Sequence, residues 1–195
     1  DGERDDRHIS SRMVHASLTQ APFALLWERG TFIHRDYVVI PAGPVAELGE
    51  RVRIWLTRRK LPALSVHGLF ARFHEYLTGL GIPGPTALHT AFRETPCPGI
   101  RVQKYPLISL ETVPEGFRLS GFVSRLFHAH PGLVPQERVR RLLIDDMMVN
   151  RDLFPIFMEQ VPRVLSVPRR GFIHERHLGA LVDLEGLDAL LATLD

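Results

Sequence analysis

Cysteine is almost absent: Cys97 stands alone among 195 residues. A single thiol excludes an internal disulfide and every multi-cysteine zinc finger. Lysine is scarce as well, with Lys60 and Lys104 the only two. No apolar run approaches the length of a membrane span, and no secretory leader opens the sequence. A cytoplasmic protein without membrane contact is the expectation that follows. A strong excess of one charge is also missing. The formal net charge of +2 is too small to mark a nucleic-acid binder by itself.

What is present is an ordinary apolar content of 45%, enough for a packed core. The length suits one ordinary domain or a few small ones. Charge is unevenly placed. Arg51, Arg53, Arg58, Arg59 and Lys60 lie together without an acid, while Asp183, Glu185, Asp188 and Asp195 close the chain without a base. Arginine suits bidentate contact with phosphate and guanine, although a GC-rich genome gives the same bias and explains the larger share of it. The charged opening, residues 1–7, reads as the inside of a longer polypeptide.

A local signature occurs twice. Arg29-Gly30-Thr31-Phe32-Ile33-His34-Arg35 returns as Arg170-Gly171-Phe172-Ile173-His174-Glu175. Each copy follows an apolar stretch, residues 23–27 and 164–167, and each reads as a β-hairpin with basic residues at its tip.

Periodicity and breakers divide the rest. A short helix is expected over residues 9–18 and a hairpin over 23–39. A proline-rich break at 41–44 precedes a helix over 45–59 with Val45, Leu48, Val52, Trp55 and Leu56 on one face. Ser65 is placed to cap a helix over 66–78. Gly79, Gly81, Pro83 and Gly84 form a turn, and Pro85 opens a helix over 86–94. Residues 100–110 read as β. A further round gives helices over 119–130, 135–145 and 151–161, the last capped by Asn150. A hairpin over 164–178 and a terminal helix over 181–194 complete it.

The helix over 86–94 separates by face. Thr86, His89, Thr90 and Arg93 fall at helical spacing on one side, with Ala87, Leu88, Ala91 and Phe92 on the other. Such a polar face reads bases when the helix enters a major groove; any solvent-exposed amphipathic helix also shows one. Ten histidines invite a metal reading, but none has the His-Glu-x-x-His spacing, so no metal or cofactor is expected. Structural use as caps or partners suits them better. Asp145 and Asp146 are adjacent and face apart on a helix, Gly79–Gly84 lacks a phosphate-loop ending, and Ser65 near His67 makes no triad.

In this order of elements the chain resembles winged helix-turn-helix modules in tandem, of the bacterial kind fused to larger regulatory or nucleic-acid-processing proteins. The resemblance covers roughly residues 65–110 and 116–178, with a partial copy before Tyr37. It implies a mainly α fold with small β-hairpins, divided as 1–44, 45–113 and 114–195. It further implies non-catalytic binding of double-stranded DNA, with third helices in the groove and hairpin tips on the backbone. The candidate contacts are Thr86, His89, Thr90 and Arg93, the hairpin residues Arg29, Arg35, Arg169 and Arg170, and the basic residues Lys104 and Arg151. The competing expectation is a docking module for a partner protein or homodimer, contacting through Trp55, Phe70 and the apolar C-terminal segment.

Overall fold

The computed structural model describes residues 11–180. Helix predominates there, and the strands form three small antiparallel sheets. Among the described residues, no helix is long and apolar enough to cross a membrane. The terminal helix expected over 181–194 lies outside the described residues, as do the first two residues of the one expected over 9–18.

Helix α1 (Ser11–Gln20) leads into a hairpin of β1 (Ala24–Glu28) and β2 (Thr31–His34). Arg29 and Gly30 make the turn, with Gly30 at φ +79°. The next unit holds α2 (Ala42–Arg59), β3 (Ala63–Ser65), α3 (Val66–Arg72), α4 (His74–Gly79), α5 (Pro85–Glu94), β4 (Ile100–Val102) and β5 (Leu107–Leu110). The last holds α6 (Leu119–Ala129), β6 (Val134–Pro135), α7 (Gln136–Arg140), α8 (Phe154–Glu159), β7 (Val164–Val167) and β8 (Gly171–His174). Both complete units run helix, strand, helices, strand, strand. In both sheets the third strand lies between the other two, β3-β5-β4 and β6-β8-β7.

Local chemistry explains most boundaries. Val45, Leu48, Val52 and Leu56 recur on the buried stripe of α2. Pro44 falls in its first turn, where a missing N–H costs nothing, so the 41–44 segment starts this helix instead of breaking the chain. Ser65 accepts from the His67 N–H at 3.2 Å as the cap of α3. The helix expected over 66–78 is divided, because Phe73 leaves helical geometry at φ −117°, ψ 26°. The helix expected over 135–145 is α7 continued by a wider π-helical segment, Arg141–Asp146. Asn150 Oδ1 accepts from Asp152 N–H at 2.8 Å and caps a 3-10 turn that runs into α8.

The repeated signature is a repeated structure. Ala24 pairs with His34 as Val164 pairs with His174, and Leu25 with Ile33 as Leu165 with Ile173. Each histidine caps the 3-10 turn that follows: His34 Nδ1 accepts from Asp36 N–H, and His174 Nδ1 from Arg176 N–H. Burial differs between the copies. All four residues of β8 are buried, whereas Thr31 and His34 of β2 are exposed. β6 covers the second edge of β8; among the described residues no strand covers that of β2.

One apolar cluster runs through both complete units, including Leu56, Leu64, Leu69 and Ile108 with Leu143, Met147 and Met158. Their junction is close backbone contact. Met147 O accepts from Ser65 N–H at 2.9 Å and Met148 O from Gly68 N–H at 3.0 Å, satisfying donors that the start of α3 leaves free. Trp55 Nε1 donates to Asp146 O at 2.9 Å, and Arg59 pairs with the Asp146 carboxylate at 2.9 Å.

Candidate nucleic-acid interface

The expected exposed face of α5 is corrected. Thr86 and His89 are only 9% exposed and Thr90 only 2%. The β1–β2 hairpin lies over them: Thr90 Oγ1 donates to Leu26 O at 2.6 Å. His89 Nε2–H donates to Gln103 O at 3.0 Å, and burial pushes its pKa down. Arg93 alone of the four is exposed, beside Glu94. Lys104 is exposed in the β4–β5 turn, and with these four it lines a cleft of about 340 Å³ beneath the hairpin. Five candidates therefore meet, but in a roofed cleft and not on an open helix face.

Arg35 does not continue the second strand of its hairpin. It sits in the 3-10 turn after β2, and its guanidinium pairs with Glu94 at 2.9 Å, which fixes the hairpin to the end of α5. Arg29 stays exposed at its tip. Of the residues expected to dock a partner, Phe70 is buried, Trp55 is half-buried, and the apolar C-terminal segment lies outside the described residues. The guanidinium groups of Arg59 and Arg72 lie 4.8 and 5.1 Å from the centre of the Trp55 ring.

The other three candidates converge. Arg151 stands at the start of the third-helix region of the last unit, and Arg169 and Arg170 form the β7–β8 tip. The turn closes through Arg170 N–H to Val167 O at 3.0 Å, with Arg169 left-handed at φ +61°. These three line a polar cleft of about 570 Å³ with Arg140, which sequence reasoning missed. Arg140 lies four residues beyond Gln136 on α7, so both reach the same side. Nothing local to α7 reveals that this side meets a hairpin tip some thirty residues on. Glu137 and Asp145 also line the cleft, leaving it a formal excess of two positive charges (four arginines less two acids). Among the described residues, none of the four arginines has an ion pair. Arg140 lies over the Phe154 ring at 5.5 Å, which orients its guanidinium without neutralising it.

Forked donors from α7, the 3-10 turn before α8 and the β7–β8 tip thus face one concave surface. Guanidinium groups so arranged suit phosphate oxygens through paired N–H contacts. The outward side of α8 and of the 3-10 turn before it offers little to a groove: Asp152 and Leu153 of the turn and Ile156 and Glu159 of the helix are exposed. Comparison with protein-family models, with curated proteins and with solved structures found no match for this chain.

Proposed function

We propose that the chain is a non-catalytic nucleic-acid-binding module of tandem winged-helix units that grips duplex phosphates through the last unit. The strand order with the third strand central, repeated in both complete units, supports the winged-helix reading. The observation that carries the function is the convergence of Arg140, Arg151, Arg169 and Arg170 on one cleft without ion-pair partners among the described residues. Binding is then driven by charge and blind to sequence, because α5 is covered and the exposed side of α8 is mostly apolar, with Glu159 its one charge. The middle unit acts as a rigid support, joined through Trp55, Ser65 and Gly68 to residues 146–148. Fluorescence anisotropy of labelled random duplexes across a salt series tests this. Affinity should drop steeply with salt and hardly vary with sequence; salt-independent or absent binding overturns it.

A docking module is the second reading, favoured by the exposure of Leu153, Ile156 and Leu165. It predicts a concentration-dependent dimer in sedimentation and no duplex binding even at low salt.

A further inference from the structure

Helix α6 and the α7–π segment leave a gap that shares no lining residue with the cleft at the β7–β8 tip. Val123 and Phe127 of α6 face Val139 and Leu142 across a cleft of about 510 Å³, a size that accepts a small molecule. Its walls are apolar, but its other lining groups are not random. Arg138 and Arg141 stand three residues apart, both exposed and without an ion pair among the described residues. The acid lining the cleft, Asp146, is already paired with Arg59 at 2.9 Å. His130 also lines it, and its buried Nδ1 has no hydrogen-bond partner among the described residues. His130 therefore reports on the cleft as a lining residue, and its closed-off Nδ1 is not counted among the groups that meet a ligand. The π-helical widening begins at Arg141, and such segments recur at functional sites.

We propose that this cleft binds an amphipathic anion, a carboxylate carrying a medium-length hydrocarbon tail. The tail lies along Leu126 and Leu142, over the buried Val123, Phe127 and Val139, and the head meets Arg138 and Arg141. Apolar walls give affinity, and the uncompensated guanidinium pair sets the sign of the head group. This site is separate from the phosphate-gripping cleft and does not rest on it.

The test is calorimetric titration of the whole chain with octanoate, and with 1-octanol as the same tail without charge. Octanoate should bind saturably with one site, and octanol about tenfold more weakly. Arg138→Gln with Arg141→Gln should remove that difference. Leu142→Trp, which fills the gap, should abolish binding of both. Arg169→Glu with Arg170→Glu should leave octanoate binding intact. In the unaltered protein the His130 ring resonances should shift along the same isotherm, a readout that survives if a variant fails to fold. Equal binding of octanol, loss of binding in the Arg169 and Arg170 variant, or saturation without any His130 shift overturns the proposal.

Discussion

Thr90 and Leu26 are joined by a hydrogen bond of 2.6 Å, hydroxyl to carbonyl, across 64 positions of sequence. The bond turns a polar helix face into a buried one and removes α5 from any groove. Thr90→Val keeps the shape and deletes the donor, leaving the Leu26 carbonyl short of a partner. It should lower unfolding stability by about 1–2 kcal/mol in urea titrations. Duplex affinity should stay unchanged, since Thr90 touches no ligand in this account.

Gly68 has no room for a side chain. A Cβ there would lie 2.5 Å from Met148 O and 2.7 Å from Met148 Cβ, and a backbone carbonyl cannot swing aside. Gly68→Ala should therefore push the two units apart locally, costing about 1–3 kcal/mol. Thermal melting and the rate of proteolysis around residues 146–149 should both register it.

Acid should weaken the fold through buried and half-buried histidines. Burial lowers the pKa values of His67, His89 and His174 below 6.5, with the charges of His128, His177 and Arg163 also pressing on His174. The unfolded chain binds these protons near the ordinary value while the folded chain refuses them. Stability is thus complete above about pH 6.5 and falls as pH drops from there toward the lowered folded values. His174 Nδ1 must stay unprotonated to accept from Arg176 N–H. His174→Asn keeps a capping acceptor, as Asn150 does, and cannot titrate. Denaturation midpoints should show a smaller acid loss in that variant than in the unaltered chain.

Local chemistry was the legible part of this molecule. The repeated Phe-Ile-His marks two hairpins that share register over those three residues, before a bulge after Leu26 in the first, and Ser65 and Asn150 cap where their hydroxyl and amide predict. The reading of histidines as caps or partners holds at His34 and His174. Long-range contact was not legible. A polar helix face at 3–4 spacing looks the same whether it meets water or a strand carbonyl, so Thr86, His89 and Thr90 were expected outside. Arg140 carried no local sign of the hairpin tip it faces. The division at Phe73 and the π-helical widening after Arg140 answer to tertiary packing, which periodicity does not register.

The most direct measurement compares the unaltered chain with Arg169→Glu plus Arg170→Glu in anisotropy titrations on random duplexes, from about 50 to 200 mM salt. Both side chains project into solvent at the β7–β8 tip, so folding should be unaffected, and circular dichroism checks this. Affinity should fall equally for all sequences, and the slope of log affinity against log salt should shrink by roughly two units. Arg93→Ala, on the covered helix, should change neither. Unchanged affinity and slope in the double variant would contradict the phosphate-gripping cleft.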